Sequence, residues 1–329
     1  MVYKINVPLV SGDGTRKKDI IDANNNLTVD EIRVGTLSQT YKFQGSTSGY
    51  HSGGTITGPS RVNIIDKHPF AADANATDVG DLSQARTAYG TGQSSVASGY
   101  TSGGFVSPGN VNTIDKFPFS SDANATDVGD LTRNVNSAAG QSSENHGYSS
   151  GGLLNTIDKF PFSVDANATD VGNLTRSPYG PAGQSSTTHG YTSGGSPDSP
   201  NGAIIDKFPF SVDANATDVG DLTVPGFGSS GQSSTESGYN SGRLGFPGPF
   251  ATNIIDKFPF SSDANATDVG DLTATRNFGC GQSSTANGYH SGGPPSSNVV
   301  EKFPFSSDAN GSDVGDLTQG REGGAGQQV

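Results

Sequence analysis

Ile114-Asp115-Lys116-Phe117-Pro118-Phe119, followed by Asp122-Ala-Asn-Ala-Thr-Asp-Val-Gly-Asp-Leu131, returns with few changes in copies that start at Ile65, Ile157, Ile205, Ile255 and Val300. The successive spacings are 49, 43, 48, 50 and 45 residues. Such a period is too long for a solenoid of single strands and suits one four-stranded propeller blade per copy.

Each copy divides into four pieces, which we call strands A to D. In one copy, Gly140-Gln-Ser-Ser143 leads to Gly147-Tyr-Ser-Ser-Gly-Gly152, then Ile157 to Phe162, then Asp170-Val-Gly-Asn-Leu174. Glycine, asparagine, serine and proline crowd the gaps, while β-branched and aromatic residues sit within the pieces, which is the pattern of short strands joined by turns. No apolar 3.6-residue period is sustained, so no helix is expected. The expected fold is all-β, one propeller domain over residues 1–329.

The ends of the chain set the blade count. Asp19-Ile20-Ile21-Asp22 resembles Asn63-Ile64-Ile65-Asp66, and Val34-Gly35-Thr36-Leu37 falls where Val79-Gly80-Asp81-Leu82 would. Residues 1–40 thus read as degraded strands B, C and D lacking an A. The tail, Gly324-Ala-Gly-Gln-Gln-Val329, reads as a lone A. The expectation is a seven-bladed ring in which residues 319–329 complete a blade with residues 1–40, since closure removes two exposed sheet edges. The competing count is six blades plus an N-terminal arm, with Tyr41 to Ser48 as the first strand A.

Hydrophobic residues make up only 31% of the chain, Trp is absent, and there are 47 Gly and 18 Pro, a composition that by itself would suit disorder. The strict return of Ile-Asp-Lys-Phe-Pro-Phe decides against it, because large side chains recur at fixed places. The single Cys280 excludes a disulfide framework. A net charge of −13 without a basic stripe argues against nucleic acid as a partner. Nothing approaches membrane-spanning length, and the N-terminus has no secretory signal pattern, so neither membrane insertion nor signal-dependent export is expected.

Spacing also separates two faces. From the strand D leucine to the next Gly-Gln is nine residues after Leu131, Leu174, Leu222, Leu272 and Leu317, and ten after Leu82. The B–C loops vary far more, from 5 residues between Gly152 and Ile157 to 12 between Arg243 and Ile255. In a four-stranded meander, B–C and D–A connections emerge on one side, and A–B and C–D on the other. One face is therefore diversified and the opposite face nearly constant. Diversified loops on a rigid scaffold are how a binding surface is built, although simple loop drift gives the same pattern. Arginines and aromatics favour recognition and give the candidate binding residues Arg86, Tyr89, Phe105, Arg133, Arg176, Tyr179, Phe227, Phe246, Phe250, Arg276 and Phe278.

On the constant side, Asp73, Asn75, Thr77 and Asp81 stand at positions 1, 3, 5 and 9, the spacing of a calcium loop. Asp78 occupies the place where such loops use glycine, and no glutamate follows at position 12. Asx-turns between C and D are the other reading. The expected cofactor set is none, with calcium as the alternative. Catalysis finds no constellation: His51, His68, His146, His189 and His290 fall at unrelated places in the repeats, without a positioned partner. Tyr50, Tyr100, Tyr148, Tyr191, Tyr239 and Tyr289 are expected between blades, Phe119 and its counterparts in an outer inter-blade layer, and strand C is expected to bulge or end at its proline.

The Gly-Tyr-x-Ser-Gly-Gly strand, the Ile-Asp-Lys-Phe-Pro-Phe strand and an outer strand ending in Leu-Thr together resemble a kelch-type repeat. The likeness spans essentially the whole chain but departs in strand D, where Val79, Val128, Val171, Val219, Val269 and Val314 stand in place of Trp. The wording is also similar to that of kelch-like proteins encoded by marine bacteriophages. That resemblance implies a non-enzymatic virion protein associated with the tail or tail fibre. It also implies host recognition, with a host-surface glycan or other virion proteins as partners. The alternative is a cellular kelch-like scaffold or a propeller enzyme. Homo-oligomers are compatible with either.

Overall fold

A computed structural model describes residues 43–56, 58, 60–89, 91–195, 202–246 and 250–329. Among them there is no helix, and the strands form a β-propeller of six blades. Blade 3 shows the plan: strands Ala138–Ser142, His146–Gly151, Thr156–Pro161 and Thr169–Asn173 pair antiparallel in sequence order, from the hub outward. Strand C ends at proline in every blade, at Pro69, Pro118, Pro161, Pro209, Pro259 and Pro304, because proline has no N–H for the ladder.

The ring closes through the C-terminal strand, but not on the partner expected. Ala325–Gln328 pairs antiparallel with Ser48–Ser52, placing Gln327 opposite Tyr50, and so completes the blade that continues through Ile64–Pro69 and Thr77–Asp81. This corrects the seven-bladed count to six. The proposed blade in residues 1–40 lies outside the described residues.

The hub explains why the tail serves as strand A. A Cβ on any of Gly92, Gly140, Gly183, Gly231, Gly281 and Gly326 would lie 2.0–2.2 Å from the carbonyl oxygen of the preceding blade's glycine, so only glycine fits. The next residue is a buried glutamine whose Nε2 crosses the seam: Gln93 donates to the Tyr148 carbonyl, Gln141 to Tyr191, Gln184 to Tyr239, Gln232 to Tyr289, Gln282 to Tyr50 and Gln327 to Tyr100. Gly326-Gln327 has this order and Gln44-Gly45 has it reversed. Residues 43–47 accordingly form no strand A. Gly45 makes a parallel bridge to Ser284, and Phe43, buried, caps the polar central channel beside Ser94, Ser142, Ser185, Ser233 and Ser283.

The core lies between blades. Tyr100, Ile114 and Leu131 of one blade pack on Phe160 and Ala168 of the next, and equivalent clusters recur at the other seams. Each tyrosine ring meets the next blade's first Phe at 5.4–5.6 Å and its second at 4.8–5.0 Å. At the seam between blades 6 and 1, His68 replaces the first Phe and packs on Tyr289 at 5.4 Å.

Candidate functional site

The B–C and D–A segments share one side, as the meander requires. The second glycine of the pair after strand B donates its N–H to a D–A carbonyl: Gly54 to Arg86, Gly104 to Val135, Gly152 to Pro178, Gly195 to Gly226 and Gly293 to Arg321. On this side the candidate residues separate into two groups with different fates.

The arginines turn inward. Arg86 is fully buried, 3.1 Å from Asp115, and donates to the Thr101 carbonyl. Arg276 pairs with Glu301, and Arg321, outside the candidate set, pairs with Asp66 at 3.0 Å. Arg133 and Arg176 are half-buried and are held by carbonyls, of Gly151 and Thr156 for the first and of Gly194, Gly195 and Ile204 for the second. The second residue of Ile-Asp-Lys is in each case a buried carboxylate that needs a cation, which a D–A arginine supplies in five of the six blades. Burial pushes Asp158 and Asp206 above the usual carboxylate range, while the nearby guanidiniums and the Thr132 and Thr175 hydroxyls oppose that shift. Arg86 and Arg276 are thus buried structural ties, a correction to their reading as surface binding residues, while Arg133 and Arg176 keep part of their side chains in solvent.

The aromatics converge. Tyr89 meets Phe278 at 5.4 Å between ring centroids, Phe278 meets Phe227 at 5.8 Å, and Phe227 meets Tyr179 at 5.7 Å and Phe246 at 5.9 Å. All five rings are half-buried. They arc around the hub on the variable side. The backbone beneath them is tied: Tyr89, Ser137, Gly180, Gly228, Phe278 and Gly323, each three residues before a strand A glycine, all have φ between 49° and 69°. Around the axis, Tyr89 N–H donates to the Gly323 carbonyl, Gly323 to Phe278, Phe278 to Gly228, Gly228 to Gly180 and Gly180 to Ser137. Two non-glycine rings are held here in the left-handed region, which is sparsely populated for such residues. A Cβ on Gly323 would lie 2.9 Å from the Tyr89 ring, and one on Gly228 would lie 2.8 Å from the Phe278 ring. Each ring therefore rests on the glycine of the blade before it.

Phe105 is covered by the Arg61 guanidinium, 4.3 Å above its ring. Phe250 starts the lengthened strand C of blade 5, Phe250–Pro259, and is 48% exposed. Two residues outside the candidate set reach the same surface. Leu153 and Leu154 are exposed, and Leu153, at φ 71°, donates its N–H to the Pro178 carbonyl beside Tyr179. The signal for them was two adjacent leucines in the shortest B–C loop.

On the constant side, the oxygens of the calcium-like pattern point across a seam. Asp73 accepts from Lys302 at 2.5 Å, and Asn75 accepts from the Asp316 N–H at 3.1 Å. Thr77 stands opposite Lys67 and Asp81 opposite Ile64 in the sheet register. The same Lys–Asp and Asn–backbone ties recur at all six seams. Among the described residues, no three His, Cys, Asp or Glu side chains are grouped to hold a metal. Asp78 accepts from the Gly80 N–H, the local turn bond of an Asx motif.

His51, His68 and His290 are buried. His51 lies between Ser291 at 3.0 Å and Cys280 at 3.4 Å, and burial holds its pKa well below the ordinary value and pushes the Cys280 thiol up.

No protein-family model matches the chain, and no curated protein matches it. Among solved structures, that of YjhT superposes with a TM-score of 0.61 at 13% identity, over 75% of this chain and 89% of that one. At that identity the likeness establishes the fold alone: the chain is a β-propeller.

Proposed function

We propose that the protein is a non-enzymatic recognition disc that presents its D–A and B–C face to a ligand. The convergence of Tyr89, Tyr179, Phe227, Phe246 and Phe278 into one half-exposed arc carries this reading. Aromatic rings give large contact area with little side-chain entropy to lose, and here the glycines of neighbouring blades leave them room. The tied constant side supplies rigidity. The similarity of the repeated words to phage-encoded kelch-like proteins supports placing the disc on a virion. There its partner is a host-surface glycan or another virion protein.

The test is binding of the purified full chain to a glycan array and to isolated virion proteins, alongside imaging of virions labelled through this protein. Phe227→Ala and Tyr179→Ala should each weaken binding by about tenfold or more, equivalent to ~1.4 kcal/mol, whereas Lys116→Ala on the other side should not. Equal losses from both faces would refute the assignment.

A further inference from the structure

We infer that the ligand on this face is an uncharged saccharide and not an anionic one, an inference that rests on the reading of the face as the binding surface. Its first support is where the charge lies. Among the described residues of the B–C and D–A segments, the charged side chains that reach solvent are Arg61, Arg133, Arg176 and Glu322, all half-buried. Arg61 covers Phe105, and Arg133 and Arg176 are turned onto backbone carbonyls. Among the described residues the negative charge therefore lies mainly on the other side, where each blade sets one lysine against three carboxylates, or two in blade 3 where Asn173 stands.

The second support is the backbone at the hub. Consecutive N–H groups around a left-handed residue commonly form an anion-binding nest. Here the N–H groups of Tyr89, Gly180, Gly228, Phe278 and Gly323 are each given to a carbonyl of the adjacent blade. Among the described residues, neither a guanidinium nor one of these backbone N–H groups is left at the arc to hold a phosphate, sulfate or carboxylate, and the field of the acidic disc repels such groups.

What remains is a run of half-exposed ring faces, with exposed hydroxyl and amide side chains at Asn134, Ser177 and Thr273 elsewhere in the D–A segments. Flat aromatic faces suit the C–H faces of a pyranose. A protein partner of this negative disc would be expected to bring basic residues, for which the described residues of this face offer Glu322 as the one solvent-reaching carboxylate.

The experiment presents the purified full chain to neutral glucans, galactans and mannans and, in parallel, to uronate-, sulfate- and phosphate-bearing glycans. We expect binding to neutral members, changing by less than about twofold between ~50 and ~500 mM salt, because no screened charge pair contributes. Phe227→Ala and Phe278→Ala should each lower it by about tenfold or more. Preference for anionic glycans, a steep loss with salt, or binding only to a protein would overturn this inference and leave the binding face intact. Binding that ignores both substitutions would overturn the face itself.

Discussion

Arg243 Nη2 lies 2.6 Å from Asp256 Oδ2, both side chains fully buried, and it reaches that carboxylate from strand B of its own blade. In the other blades the cation comes from the D–A segment before the blade, but there Val224 follows Leu222-Thr223 where Arg133 follows Leu131-Thr132. Arg243 takes instead the place of the second glycine after strand B. The loss of one arginine is thus matched by the gain of another at the same carboxylate. Arg243→Gly should cost about 3–5 kcal/mol, because it leaves a buried charge unpaired. Adding Val224→Arg to that variant should recover about half or more of the loss, since the two positions couple through one carboxylate. Chemical denaturation of these two variants and of Val224→Arg alone measures this. Simple additivity would show that the positions do not serve the same carboxylate.

The glycine ring at the hub makes a sharper demand. A Cβ at Gly140 would sit 2.2 Å from the Gly92 carbonyl oxygen, whereas at Gly109 it would meet nothing within 4 Å. Gly140→Ala should therefore lose about 3 kcal/mol or more, and Gly109→Ala should stay within about 0.5 kcal/mol of the parent. Equal denaturation midpoints for the two would show that the hub yields to a methyl group.

His68 predicts a pH dependence confined to one seam. It stands where Phe117 and its counterparts stand, against Tyr289 and Phe70, with neither ring nitrogen hydrogen-bonded, and burial lowers its pKa from 6.5 to about 4. The unfolded chain takes up this proton before the folded one does. Its contribution is thus fully present above pH 6.5 and is lost as pH falls towards 4. The gap corresponds to about 3 kcal/mol at ~1.4 kcal/mol per pH unit. His51 and His290 are also lowered, and Asp158 and Asp206 are raised, so the wild-type profile alone mixes several groups. The difference between wild type and His68→Phe isolates this one: the variant should gain relative stability steadily from pH 6.5 to 4. Parallel profiles would mean that His68 reaches solvent.

The Asp73 segment yields a prediction about metal. With Asp73 on Lys302 and Asn75 on the Asp316 N–H, both oxygens already tie blade 1 to blade 6. Millimolar calcium, enough for weak extracellular-type sites, should therefore shift the melting temperature by less than about 1 °C, as should a chelator. A rise of several degrees would establish calcium at these loops.

Much of this was legible in the sequence because each blade repeats the same physical demands. Strands A to D, the two sides and the inter-blade tyrosines follow from Ile-Asp-Lys-Phe-Pro-Phe and Gly-Tyr-x-Ser-Gly-Gly. The blade count misled because likeness of words near Ile20 and Val34 was given the weight of a blade. The decisive feature is smaller: strand A needs glycine and then glutamine, and Gly326-Gln327 supplies that pair for the blade of Tyr50. The arginines misled for another reason. Arg86 sits in a connecting segment, where exposure is the usual expectation, and its partner Asp115 lies 29 residues later on the next blade. Only the sheet register shows that Asp115 faces inward. The aromatics could be named singly, but their meeting depends on ring closure bringing Tyr89 beside Phe278.

That meeting sets a test in which stability and binding part. Phe278 has φ 49° and rests on Gly228, so its backbone is strained while its half-buried ring gains contact. Left-handed backbone costs a non-glycine residue about 1–2 kcal/mol, and a partly buried phenylalanine ring contributes a similar amount. Phe278→Gly should then leave stability within about 1 kcal/mol of wild type while removing a central ring of the arc. We expect binding at this face to fall by about tenfold or more at nearly unchanged melting temperature, the separation characteristic of strain kept for function. Phe278→Ala retains the strain and should be less stable than Phe278→Gly, with the same loss of binding. If Phe278→Gly instead unfolds the ring and Phe278→Ala does not, the phenylalanine serves the hub and the arc carries no ligand.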